Sequence, residues 1–299
     1  MEPDLWVEAL PQEQGRMIKE IIFGRLGLSR GLVRRIRKGG QVRLNGQPAF
    51  ITQRVKAGDR IEIAFFDEPT QIQPQPVGLE IVYEDESLIV VNKSAGLAVH
   101  PTRTYPDGTL ANGLAYHWQR QGLARKVRLL HRLDRDTSGL VLAVKEPYSY
   151  HQLAEQLRAR TLIRAYLAIV SGKLDNKQGT VEEPIGLSGQ GHGLKRAVMA
   201  AGKPARTYYR VVAEYSRGSL LLLELATGRT HQIRVHLAWM GHPVIGDQMY
   251  GQPSKVIARQ ALHAWRLQFV HPRTHQPMEL RAPLPWDMRS VLKHYRLSL

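Results

Sequence analysis

The chain has no cysteine at all. That excludes disulfides, thiolate nucleophiles, iron–sulfur clusters and cysteine-ligated zinc, and it fits an intracellular protein. Long apolar runs are missing too: the longest, around "SLLLLELA", falls far short of the roughly 20 residues that cross a bilayer. The opening residues, "MEPDLWVEALPQEQGR", have neither the basic start nor the apolar centre of a secretion signal. The expectation is a cytoplasmic protein with no membrane partner. No GxxxxGKS/T loop and no GxGxxG after a strand is present, so no nucleotide cofactor is implied. No histidine pair has HExxH spacing, and His231 and His236 stand five apart without sharing a clean helix face. The expectation is therefore no metal and no cofactor.

Acidic residues are also scarce. Against 26 Asp and Glu stand 42 Lys and Arg, a formal +16 with a pI near 10.2, and a polyanion is the first partner to consider. The excess is concentrated. Residues 15–60 hold 12 Lys and Arg against Glu20 and Asp59 alone. Within them, "LSRGLVRRIRK" has the period of a helix with Leu28, Leu32, Val33 and Ile36 on one face and Arg30, Arg34, Arg37 and Lys38 on the other. One face packs and the other is a cationic stripe suited to RNA phosphates. The alternation in "QVRLNGQPAF" around Asn45-Gly46 predicts a hairpin, and "DRIEIAF" predicts a further strand. These two short helices and small β element resemble the RNA-binding module of ribosomal protein S-four, over about residues 15–66.

At 299 residues, with 43% apolar and 23% charged side chains, the chain is an ordinary globular protein of about two domains. "DEPTQIQPQPVG" has the composition of a linker. The expected division is a module at 1–66, a linker at 67–78 and a second domain at 79–299. From Leu79 onward, "LEIVYED", "SLIVVNK", "GLVLAVK", "IRAYLAIV", "RTYYRVVAEY", "SLLLLELA" and "QALHAWRLQF" predict strands, and "YSYHQLAEQLRAR" and "THQIRVHLAWM" predict helices. The fold class is α+β: a mixed, mainly antiparallel sheet with flanking helices, preceded by a small α/β module. "LSGQGHGLKRAVMAAGKPAR" is expected to form a mobile loop or hairpin.

Chemistry concentrates in two stretches. "HRLDRDTSG" at 131–139 differs from a kinase catalytic loop, since a Leu separates Arg from Asp and the magnesium-binding Asn is missing. What it offers is Asp134 or Asp136 set among Arg132 and Arg135, where neighbouring positive charge favours an ionised carboxylate fit to act as nucleophile or base. In "ATGRTHQIRVHLAWMGHPVIGDQMYG" at 226–251, Thr230 is expected to cap a helix. Arg229 then lies near its electropositive end, a place for a phosphate, and Arg234 is available to pair with a carboxylate elsewhere.

Together with "VYEDESLIVVNKSAGLAVHP", "RTLIRAYLAIVSG" and "LHAWRLQFVHP", these stretches resemble the RluA-type pseudouridine synthases, in that family's order and spacing across most of residues 79–286. The resemblance implies an isomerase that detaches uracil from ribose and rejoins it through carbon 5, without a cofactor. It makes Asp134 the catalytic aspartate, with Asp136 in support. It makes Arg132 the residue that helps turn out the base, Tyr166 the ring against the uracil, and Arg234 the partner of the aspartate. Arg229 and His231 join Arg132 as substrate contacts, and Arg30, Arg34, Arg37 and Lys38 as contacts of the module. Two departures stand out: Ser94 where the family has Pro in Asn-Lys-Pro-x-Gly, and Arg164 where it has Lys before the tyrosine motif. The implied partner is RNA, ribosomal rather than transfer RNA, and the expected state is a monomer. A reading from a different class is a non-catalytic RNA-binding or ribosome-assembly factor on the same fold; another is a hydrolase releasing the base. His131 and Arg135 have no role legible at this level.

Overall fold

The computed structural model describes residues 3–66, 69–123, 125–189, 195–215 and 217–296. It builds two sheets with separate cores and a short third one. The first sheet has four strands in the order Leu5–Glu8, Arg60–Ala64, Gln41–Leu44, Gln47–Pro48, all antiparallel. The turn between its last two strands is Asn45-Gly46, with both φ values positive at 53° and 80°, the backbone that a two-residue hairpin requires. Asn45 is held there by its Oδ1, which accepts from the Arg60 amide at 2.8 Å. Helix Arg30–Gly39 lays Leu32, Val33 and Ile36 into the core, with Leu28 just before it, beside Ile18, Ile21, Ile22, Ile61 and Ile63. Ser29 Oγ accepts from the Leu32 amide at 3.2 Å and so caps the helix. Arg30 and Arg34 are exposed on the far side, while Arg37 and Lys38 have side chains outside the described residues.

The second sheet runs Gln178–Val181, Thr207–Tyr215, Gly218–Leu225, Ile163–Ser171, Leu262–Val270, Ser138–Val144, Leu88–Lys93, Ile81–Glu84, with two further strands paired at its flanks. Every pairing is antiparallel except Leu262–Val270 with Ser138–Val144, a parallel seam. Each predicted strand is present. Alternation along the central strands sends residues to opposite faces: Ile89, Val91, Val141 and Ala143 to one core, Leu88, Val90, Leu140, Leu142 and Val144 to the other. On the first face lie helices Leu110–Arg120 and Trp286–His294, neither of them evident in the periodicity; on the second lies the predicted helix Pro147–Ala159.

The seam has a close approach. A Cβ on Gly139, whose φ is +110°, would stand 2.2 Å from the Ala264 carbonyl oxygen. Only glycine lets these two strands meet, and their meeting sets the 131–137 loop beside residues 259–263.

Residues 69–78 are extended along helix Leu110–Arg120: Asn112 Nδ2 donates to the Gln73 carbonyl at 2.8 Å, and Val77 packs where a Cβ on Gly113 would stand. Strands Ile185–Leu187 and Arg196–Val198 pair as a hairpin; residues 190–194 of this stretch lie outside the described residues. Among the described residues no helix is long and apolar enough to cross a membrane.

The two cores touch. Tyr148, on the helix after the Ser138–Val144 strand, completes the N-terminal core and stacks on Phe65 with centroids 6.5 Å apart. Arg273 lies over the Tyr148 ring, pairs with Glu146 and donates to the Asp4 carbonyl. His151 Nε2 donates to the Gly27 carbonyl at 3.1 Å.

Candidate active site

The loop carrying Asp134 joins the short strand Arg128–Leu129 to strand Ser138–Val144, and it is tied down beyond the aspartate. Lys93 Nζ, itself buried, donates to the carbonyls of Arg135, Ser94 and Leu97 at 2.7 to 2.8 Å. Three donors on one nitrogen are those of an ammonium. Burial pulls the Lys93 pKa down to about 7, against the pull of Asp136 and Asp134. Arg259 Nη1 donates to the Asp136 carbonyl at 3.0 Å, and Gln260 Nε2 to Thr137 Oγ1 at 3.1 Å. Arg135 forks onto Asp136 and reaches Tyr105. His131 Nε2 accepts from the Leu142 amide at 3.3 Å, and burial lowers its pKa to about 3, so the ring is neutral. The two residues without a legible role thus brace the loop.

Asp134 faces Arg234, whose Nη1 donates to its Oδ2 at 3.1 Å. The same guanidinium grips Asp247 from its other edge, Nε to Oδ2 at 2.6 Å and Nη2 to Oδ1 at 2.9 Å. Asp247 is 0% exposed, and its Oδ1 also accepts from the amides of Met249 and Tyr250. Arg234 therefore sits between two carboxylates, one enclosed and one facing the cavity. Their charge lifts its pKa despite the opposing effect of burial. Asp247 escaped sequence reasoning. Its one signal is that it is the only acidic residue in the basic 226–251 stretch.

Thr230 does not cap helix Gln232–Trp239. The N-cap position is His231, in the left-handed region at φ 58°. Thr230 Oγ1 instead accepts from Arg132 Nη2 at 2.6 Å, which joins the two charged motifs. The loop is held by Gln232, whose Oε1 accepts from Thr227 Oγ1 at 2.8 Å and the Arg229 amide at 3.0 Å. His231 is ordered by Tyr250. The Tyr250 oxygen accepts from the Arg196 amide at 2.8 Å and shares a hydrogen bond of 2.8 Å with His231 Nδ1. His231 Nε2 stands 4.0 Å from Asp134 Oδ2. Burial lowers the His231 pKa, and the Asp134 charge raises it.

These groups line one cavity of about 350 Å³ that contains Arg132, Asp134, Arg164, Tyr166, Arg229, His231 and Arg234, a volume within the range of small-ligand sites. Tyr166 comes from the central strand Ile163–Ser171 and is nearly fully buried. Burial raises its pKa, with Asp134 adding to the rise, so the ring meets the cavity as a neutral phenol. All seven stand at one end of the sheet, far along the chain from Arg30 and Arg34. The cavity can hold a flat ring against Tyr166, present an oriented carboxylate beside it, and attract negative charge through its arginines.

Residues 87–239 match the family model described as RNA pseudouridylate synthase. An uncharacterized RNA pseudouridine synthase of Bacillus subtilis, YhcT, is 40% identical over 287 residues, covering 95% of each chain. The ribosomal large subunit pseudouridine synthase D of Nitrosomonas europaea is 42% identical over 266 residues, 85% of this chain and 77% of that one. Among solved structures, human RNA pseudouridylate synthase domain containing 4 superposes with a TM-score of 0.60 at 25% identity, covering 74% of this chain and 94% of that one.

Proposed function

This chain belongs to the RNA pseudouridylate synthase family, and from that premise we propose that it isomerises specific uridines of large-subunit ribosomal RNA, with Asp134 as the catalytic carboxylate. The observation that carries the reading is the Asp134–Arg234 pair at 3.1 Å in a cavity walled by Tyr166. The relatives named for the large ribosomal subunit support the choice of RNA.

In the reaction the bond from uracil N1 to the ribose anomeric carbon breaks, a bond from carbon 5 to that carbon forms, and a proton passes from carbon 5 to N1. An ionised carboxylate serves this exchange whether it meets the anomeric carbon, the uracil ring or a sugar proton. Arg234 fixes its direction. A base in stacked RNA must first leave the stack, and an aromatic face offsets that cost; Tyr166 supplies the face, and Arg132 assists the turning-out. Arg229 and His231 line the entry. Recapture of the uracil demands that water be kept from the sugar, which suits a carboxylate that is partly covered, its side chain 24% exposed.

We divide the chain into the 1–66 module, the 67–78 connection and the 79–299 catalytic domain. The module's exposed Arg30 and Arg34 serve as phosphate contacts. Arg30→Glu with Arg34→Glu is expected to weaken RNA binding and lower the salt slope of the affinity by about two, one per lost contact. Filter binding across a salt series reads this, and an unmoved slope would assign the stripe to solvent.

The function itself is tested by mapping pseudouridines in total RNA from cells with and without the protein. Loss of one or a few sites in large-subunit ribosomal RNA is expected, with RNA mass unchanged. An unchanged map supports the assembly-factor reading, and loss of bases supports the hydrolase.

A further inference from the structure

Four arginines line the active cavity, and three of them have acceptors. Arg132 donates to Thr230, Arg229 Nε to the Pro204 carbonyl, and Arg234 to its two aspartates. The Arg164 side chain has no hydrogen-bond or ion-pair partner among the described residues. It is only 8% exposed, and its Nε is enclosed without a partner. A guanidinium does not shed its proton, and a buried charge without a counter-charge is costly. Asp134 does not reach it: the ion pairs of Asp134 are with Arg234 and His231.

The surroundings of Arg164 are shaped around the gap. Arg164 and Tyr166 are two residues apart on one strand and so point to the same face, both into the cavity. Beside the guanidinium is Gly228, where a Cβ would stand 3.2 Å from Arg164 Nη1; a bare backbone there leaves the fork unobstructed. His131 Nδ1, a second enclosed nitrogen without a partner, also lines this cavity. Since its Nε2 is the acceptor of the Leu142 amide, Nδ1 carries the proton. Around Arg164 the cavity therefore gathers donors, and no side-chain acceptor among the described residues pairs with the guanidinium.

We propose that Arg164 binds the phosphate of the target uridine once its base lies against Tyr166. The inference rests on the uridine-isomerase reading and goes beyond it. It makes a phosphate-bearing nucleotide, and not a bare nucleoside, the unit the cavity accepts. A phosphate brings the charge the guanidinium lacks and matches its fork with two parallel hydrogen bonds. A uracil carbonyl, being neutral, would leave the charge uncompensated.

Single-turnover pseudouridine formation on a ribosomal RNA transcript, between about 50 and about 200 mM salt, tests the contact. Arg164→Gln is expected to raise the half-saturating enzyme concentration about tenfold or more and to lower its salt slope by about one. Arg164→Lys, which keeps the charge, is expected to preserve the slope. A fall in rate constant at unchanged slope would place the guanidinium on the base and overturn the proposal, as would an unmoved half-saturation. A second measurement needs no variant. Uridine 5′-monophosphate should inhibit the parent enzyme at concentrations about tenfold below those of uridine, the scale of one charge-assisted contact; equal inhibition, or none by either, overturns it. If the parent forms no pseudouridine in any cellular RNA, the isomerase reading itself falls and takes this contact with it, an outcome separate from a working enzyme indifferent to Arg164.

Discussion

Asp134→Asn is expected to abolish pseudouridine formation, by about 10⁴-fold or more, the scale on which loss of a nucleophile or its base acts, while RNA affinity stays near that of the parent. Asparagine keeps the shape and one acceptor for Arg234 but cannot be ionised. The fold is expected to survive. Asp134 is partly exposed, and its buried partner Arg234 keeps a second carboxylate. Asp247, gripping Arg234 at 2.6 and 2.9 Å, still neutralises the guanidinium when Asp134 cannot. Release of the carbon 5 proton from labelled uridine, read beside filter binding and thermal melting, separates the two quantities. Normal turnover by this variant would end the assignment of Asp134. Loss of RNA binding along with turnover would make the residue a part of the RNA surface instead.

The second large effect concerns a residue that never meets the substrate. Asp247→Ala is expected to lower stability by about 3–5 kcal/mol, because the buried Arg234 N–H groups it accepts from lose their acceptor and each unsatisfied buried donor costs about 1–3 kcal/mol. Asp247 has no exposed surface, and its loss also orphans the Met249 and Tyr250 amides. Activity should fall as well, because Arg234 would then turn wholly toward Asp134 and move the carboxylate it is meant to hold. Urea denaturation reads the stability, and the same proton-release assay reads the turnover. A midpoint unchanged from the parent would mean that another group can neutralise Arg234. Set beside Asp134→Asn, the pair of variants divides one guanidinium into two duties, one for the fold and one for the reaction.

How much of this was legible in the sequence depends on whether a feature repeats. The apolar stripe of Leu28, Leu32, Val33 and Ile36 and the strand alternations repeat, so the helix and the sheet could be read from them. Asn45-Gly46 could be read because a positive φ at both positions suits so few residues. Helix Leu110–Arg120 hid because its first turn has Asn112 in place of the usual Glu or Gln after the Thr109 cap, and because its first six residues, Leu110 to Ala115, are all buried and show no polar face. The Asp134–Arg234 pair was expected from motif resemblance, since 100 residues separate the two and no local pattern links them. Asp247 was invisible for a related reason: a buried ion pair leaves no period, only a single acid among bases. Thr230 misled, as a side chain with cap chemistry was drawn to Arg132 across the cavity. The solitude of Arg164 could never be read from a string of letters, because what matters about it is which neighbours are missing.

The contact between the two cores has a consequence for recognition. Phe65 stacked on Tyr148, Arg273 bridging Glu146 and Asp4, and His151 reaching Gly27 make the basic helix and the catalytic cavity two jaws of one caliper, set before any RNA arrives. A tethered module would search a volume of space and pay for its ordering upon binding; a fixed one offers a single span. On the reading proposed for the module, an RNA whose phosphates and uridine match that span is expected to engage both jaws in one step, and an RNA with the same sequence around its uridine but a different shape only one. Site choice, on that reading, is a measurement of distance along folded RNA.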